Sequence, residues 1–202
     1  MAGRPRASSQ RMLEEAASEL FVENTYAKTT IEQITQRAGV SRNTFFNYFG
    51  SKSELLWVEL DASTAALTDA LAATSDDADP LDAVESALLS TAAAFRADRA
   101  PLVLTQHETM GIDAELRAAG LARALELAVV IERFLAPRLG GADAAFRARA
   151  IALAVLGAAS AAVGRWAAEG PRREPLERYL SRAVHPVLAG FAAEGPQPST
   201  IG

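Results

Sequence analysis

Cysteine is absent from the 202 residues, which removes disulfides, thiolate metal sites and thiol redox sensing and fits a cytoplasmic protein. Histidine occurs only at His107 and His185, and neither has a second histidine at ligand spacing, so no metal and no cofactor are expected. The N-terminal MAGRPRASSQR is basic and polar where a signal peptide needs an apolar stretch. The longest uncharged segment, between Arg149 and Arg165, falls short of the roughly 18–20 apolar residues of a membrane span and reads as a buried helix, so no membrane partner is expected. No period-2 alternation marks a strand and no segment repeats. No Ser/His/Asp arrangement, carboxylate pair or glycine-rich phosphate loop stands out either, and the expectation is an all-α protein that is not an enzyme.

What the chain does have is apolar mass. Half of its residues are hydrophobic, enough for one compact body or two closely joined domains. The net charge of −5 argues against nucleic acid until it is divided along the chain. Residues 1–56 hold seven Lys and Arg against six Asp and Glu, and the remainder holds thirteen against nineteen. Arg4, Arg6, Arg37, Arg42 and Lys52 all fall in the less acidic part. Acidity elsewhere discourages phosphates from the wrong face.

The segment TTIEQITQRAGVSRNTFFNYF, starting at Thr29 and followed at once by GSKSELL, reads as a helix-turn-helix. Thr30 is placed to cap the first helix, with Gln33 reaching back three residues later in a capping box. Ile31, Ile34 and Ala38 share a face. Gly39 follows where the reversing chain needs a residue tolerant of positive φ. Ser41 caps a second helix in which Phe45 and Phe49 point inward. Arg42, Asn43, Thr44, Phe46, Asn47 and Tyr48 are left facing partly or wholly outward. Two readings are open here: an ordinary helical hairpin, or a surface that binds DNA. Core packing does not account for Phe46 and Tyr48 beside Arg, Asn and Lys, which favours the second.

This stretch resembles the DNA-binding signature of the TetR family of bacterial repressors, and the resemblance covers about the first quarter of the chain. It implies a homodimer with a three-helix N-terminal helix-turn-helix domain, placed at residues 1–56, and a helical ligand-binding and dimerisation domain at 57–202. It further implies a repressor that leaves a palindromic, double-stranded DNA operator when a small effector binds. By position, Tyr48 and Lys52 match residues that contact phosphates, and Arg42, Asn43, Thr44 and Asn47 lie where bases or backbone are touched. Thr30 belongs to the same expected DNA surface. Phe46 departs from the tyrosine more usual in the family; it lacks the hydroxyl for a phosphate and can pack on sugar or a thymine methyl. The run TFFNYFGSKSELLWVELD is similar to the mycofactocin-system type within that family, which is associated with long-chain acyl-CoA ligands. The arm holding Arg4 and Arg6 is either a loose tail or a segment that orders against phosphates or in a minor groove.

The flanking pattern predicts a first helix over 9–23, with Leu13, Ala17, Leu20 and Phe21 on one stripe, and a fourth from Ser53 toward Ala73 that joins the two domains as a stiff lever. Asp79 and Pro80 predict a helix from Leu81 to about Ala97. Further helices are expected over 102–110, 121–139, 143–169 and 174–194, with Gly111 and Gly120 flanking a brief turn and a bend at Pro186. The small residues from Gly157 to Gly164 suit close helix approach. With Leu176, Leu180, Val184, Val187, Leu188 and Phe191 of the last helix they form either a four-helix dimer interface or internal core.

An effector pocket is expected among the helices of the larger domain, with Phe95, Gln106, His107, Met110, Arg133, Phe134 and Trp166 as candidates. For each of these, core packing or plain surface exposure is favoured over a ligand contact. The few charges in the central helices favour a hydrophobic ligand such as an acyl-CoA, whose phosphates Arg96, Arg99, Arg117 and Arg123 could meet. The alternative is a constitutive DNA-binding protein with no small-molecule effector.

Overall fold

A computed structural model of the chain describes residues 6–193, and those residues are helical with short connections. The helices are α1 (Arg6–Asn24), α2 (Ile31–Ala38), α3 (Arg42–Phe46), α4 (Glu54–Ala72), α5 (Pro80–Ala92), α6 (Leu102–Thr105), α7 (His107–Met110), α8 (Asp113–Leu135), α9 (Ala144–Ala168) and α10 (Leu176–Ala193). Compactness groups them into two units. One holds the residues up to Leu60 together with Pro101–Arg117, and the other holds Asp61–Ala100 with the residues from Ala118 onward. The segment carrying α6 and α7 returns to the first unit, where the Tyr26 amide donates to the Met110 carbonyl at 2.9 Å.

Local signals in the sequence decide most helix ends. Asp79 Oδ1 accepts from the amides of Leu81 and Asp82 at 2.8 and 3.0 Å, with Pro80 at the first helical position, so α5 begins where its cap and its fixed φ require. Three expectations are corrected. Helix α5 stops at Ala92, and a single 3₁₀ turn, Ala97–Arg99, follows. The helix expected over 102–110 is broken at Gln106, whose φ of −128° is not helical. Gly120 does not interrupt α8, because a glycine inside a helix costs only about 1 kcal/mol, which 23 continuous residues readily offset.

In the first unit Leu13, Ala17, Leu20 and Phe21 of α1 are buried with Ile34 and Ala38 of α2 and Phe45 and Phe49 beyond them. In the second, α10 packs on α9 and α5, and Leu176, Leu180, Val184 and Leu188 are buried within the single chain. Those four are therefore internal core and not free for a partner. On α9, by contrast, Phe146 is 73% exposed and Leu153 41%. With exposed Gly157, Ser160, Ala161 and Gly164 they fall on one stripe of the helix. The helix around Arg149 and Arg165 is also longer than the uncharged segment suggested. At 25 residues α9 is long and apolar enough to cross a membrane by length and composition, with 28% of its most apolar window buried.

Candidate nucleic-acid interface

The turn between α2 and α3 is built by neighbours in sequence. Thr30 Oγ1 accepts from the Gln33 amide at 3.2 Å while Gln33 Oε1 accepts from the Thr30 amide at 2.8 Å, completing the capping box. Gly39, at φ +65°, donates its amide back to the end of α2 in the left-handed conformation that a side chain would disfavour. Ser41 Oγ then accepts from the Thr44 amide at 3.1 Å and opens α3.

Phe45 anchors α3 by complete burial, with Phe49 buried beside it at 5.6 Å between ring centroids. Because those two rings face inward, Arg42, Asn43, Phe46 and Asn47 stand on the exposed side, and Thr44 and Tyr48 are half-buried at its margin. The Thr44 hydroxyl shares a 2.8 Å hydrogen bond with Ser41. Arg42 Cζ lies 5.6 Å from the centroid of the Phe46 ring. Thr30 is exposed at the head of α2. Arg6 opens α1 and so belongs to a helix, not to an arm, and Arg4 lies outside the described residues.

Two basic residues are committed elsewhere. Arg37 donates to Glu19 at 3.0 Å and to Glu23 at 2.8 Å, tying α2 to α1, and its hydrogen bond holds the Glu23 carboxyl below the usual carboxylate range. Its charge is cancelled locally and adds little to a phosphate-binding field. Lys52 Nζ donates to the carbonyls of Tyr26 and Thr29, each at 2.7 Å, and sits 4.1 Å from the centre of the Tyr26 ring. Burial pushes its pKa down. The loop it grips is itself constrained: Thr25 adopts φ +68°, and Thr29 Oγ1 donates to the carbonyls of Leu20 and Thr25. Lys52 thus fastens the start of α4 to the α1–α2 loop. Tyr26 and Thr29 have no signal in the sequence, because they lie 26 and 23 residues from their partner.

This geometry gives a prediction distinct from that of a phosphate anchor. Lys52→Met should lower stability by up to about 1–3 kcal/mol, the cost of leaving two partly buried carbonyls without their charged donor. The slope of log affinity against log salt should change by less than the ~0.9 per phosphate contact expected on B-DNA. Chemical denaturation and a salt titration of duplex binding read the two separately.

The candidate effector residues are divided between the two units. Gln106, His107 and Met110 lie in the first unit, whereas Phe95, Arg133, Phe134 and Trp166 lie in the second. His107 Nδ1 is 2.6 Å from Asp113 Oδ1; Met110 is buried and Gln106 exposed. Trp166 is fully buried, its indole N–H donating to the Glu174 carbonyl at 3.0 Å with Arg173 over the ring, which makes it core. Phe134 is buried under Arg138, 4.2 Å from its ring. Phe95 is half-buried and Arg133 exposed. Of the arginines suggested for acyl-CoA phosphates, Arg96 is paired with Asp98 and Arg123 with Asp61. A cavity of about 360 Å³ in the second unit is lined by Asp76, Ala78, Pro80, Pro137 and Arg138, none of them among the seven candidates.

Known proteins agree with this architecture. Residues 13–57 match the domain family described as bacterial regulatory proteins, tetR family, and residues 78–192, more than half of the chain, match the MftR C-terminal domain. The chain is 27% identical over 167 residues to the mycofactocin biosynthesis transcriptional regulator MftR of Mycobacterium tuberculosis, covering 81% of this chain and 82% of that one. Among solved structures, NalD, the secondary repressor of the MexAB-OprM multidrug efflux pump in Pseudomonas aeruginosa, has the same fold. It has a TM-score of 0.61 and 20% identity over 90% of this chain and 94% of that one. FadR of Thermus thermophilus, a TetR family transcriptional repressor solved in complex with lauroyl-CoA, has a TM-score of 0.52 and 23% identity over 96% and 99% of the two chains.

Proposed function

We propose, since the chain belongs to the TetR family of bacterial transcriptional regulators and carries an MftR-type C-terminal domain, that it is a repressor holding a palindromic operator as a homodimer. A long-chain acyl-CoA is its proposed effector. The observation that carries the DNA reading is α3 itself, a five-residue helix whose buried Phe45 turns Arg42, Asn43, Phe46 and Asn47 to solvent. Such a helix, presented after a capped turn, fits a major groove. The N-terminal unit is the reader and the C-terminal domain the seat of the effector and the partner. A DNA-reading role fits a cytoplasmic protein.

The dimer reading is supported by α9. An apolar helix with one exposed stripe calls for a cover, and at Gly157, Ser160, Ala161 and Gly164 that stripe is small enough for another helix to approach closely. Two copies would set two recognition helices against one palindrome. The acyl-CoA reading draws on FadR, whose structure holds lauroyl-CoA, and on the MftR-type domain.

Fluorescence anisotropy of a duplex taken from the protein's own upstream region tests the effector. Long-chain acyl-CoA should release the duplex, and at roughly a hundredfold excess over its Kd should stabilise the free protein by about 2.7 kcal/mol. Unchanged binding together with an unchanged melting temperature would favour a constitutive DNA-binding protein.

A further inference from the structure

The outward side of α3 is made of two pairs four residues apart, Asn43 with Asn47 and Arg42 with Phe46. The second pair is in contact, with the guanidinium carbon 5.6 Å from the ring centroid. Phe46 is 46% exposed, an unusual position for a ring that lacks a polar tip. It is backed by the fully buried Phe45, which meets it edge to face at 5.3 Å and 82°. The exposed ring therefore stands on a fixed support. Arg37 is tied to two carboxylates, whereas among the described residues no carboxylate pairs with Arg42.

A guanidinium held over an aromatic ring still has its forked N–H donors to offer to another partner. Those parallel donors match the O6 and N7 acceptors that guanine shows in the major groove. A long exposed arginine otherwise surrenders much of its rotamer freedom when it is fixed on a base, and a ring that already holds it reduces what is left to lose. We infer that Arg42 reads a guanine in each half-site and that Phe46 is the positioning residue that holds it there. This rests on α3 being the DNA reader and goes beyond it by naming the base, its reader and the support.

The test is selection of duplexes from a randomised library by the full-length protein and by Arg42→Ala, Phe46→Leu and Phe46→Tyr variants. Phe46→Leu keeps an apolar side chain but removes the aromatic face; Phe46→Tyr keeps the face. The wild type should enrich an invariant guanine in each half-site. Arg42→Ala and Phe46→Leu should each lower the preference for guanine at that one position at least tenfold and leave the other positions as they were. Phe46→Tyr should retain it. If Phe46→Leu selects that guanine as strongly as the wild type, or if the wild-type site holds no guanine that depends on Arg42, the inference is wrong while the DNA-reading role of α3 stands. If the wild type enriches no sequence at all, that role falls and the inference falls with it.

Discussion

Gly157→Arg on α9 should convert the protein to a monomer and lower operator affinity at least a hundredfold. Gly157 is exposed, and a Cβ built there meets nothing within 4 Å, so one chain accommodates the larger side chain without strain. Replacing a helical glycine also favours the helix by up to about 1 kcal/mol, so the stability of the protomer should hold or rise. Between two helices whose axes lie about 8–10 Å apart, however, an arginine at the contact leaves no room for the partner. Losing the second recognition helix removes the effective concentration that links two half-sites, which contributes about 10²–10⁴ in affinity. Sedimentation equilibrium and duplex titration read the two effects, and an unchanged helical circular-dichroism spectrum excludes misfolding as their cause. A variant that stays dimeric would place the interface away from this stripe.

Phe45→Ala should cost about 3–5 kcal/mol, the range for truncating a fully buried phenylalanine. Against the ~5–15 kcal/mol of a typical domain that is a large fraction, and DNA binding should be lost with it. The effect is concentrated in α3, because five residues do not sustain a helix without tertiary packing. Phe45 packs on both Phe46 and Phe49, so its removal takes away the inward anchor and the support of the outward ring together. Chemical denaturation measures the first quantity and anisotropy the second. Truncating the neighbouring, half-exposed Phe46 should cost much less stability, so the pair separates anchoring from contact with DNA.

The parts of the fold that depend on near neighbours were legible in the sequence. The Thr30–Gln33 capping box, the left-handed Gly39 and the Asp79–Pro80 start each involve residues no more than four apart, and the structure has all three. The inward stripe of α1 and the inward Phe45 and Phe49 followed from helical periodicity alone. What escaped was set by long-range partners. Arg37 and Lys52 look like free cations in a basic segment, and only the fold supplies Glu19 and Glu23 to one and the Tyr26 and Thr29 carbonyls to the other. Periodicity marked the leucines of α10 as apolar without saying which neighbour would cover them, and α9 and α5 of the same chain do so. The division of the effector candidates between the two units was hidden for a related reason: aromatic and polar residues on several helices carry no record of which helix packs with which. Gln106, His107 and Met110 belong to a segment that packs with the first unit, a placement that no local pattern announces.

Hydroxyl-radical footprinting of the full-length protein on the duplex upstream of its own gene tests the central claim most directly. The expected pattern is two protected half-sites about one DNA turn, roughly 34–36 Å, apart. Protection should be lost or moved to other sequences in an Asn43→Ala, Asn47→Ala variant whose melting temperature is unchanged, because those side chains are exposed on the proposed DNA-reading side of α3 and contribute nothing to the core. A single protected patch, or the same footprint from that variant, would contradict a dimer that reads its operator through α3.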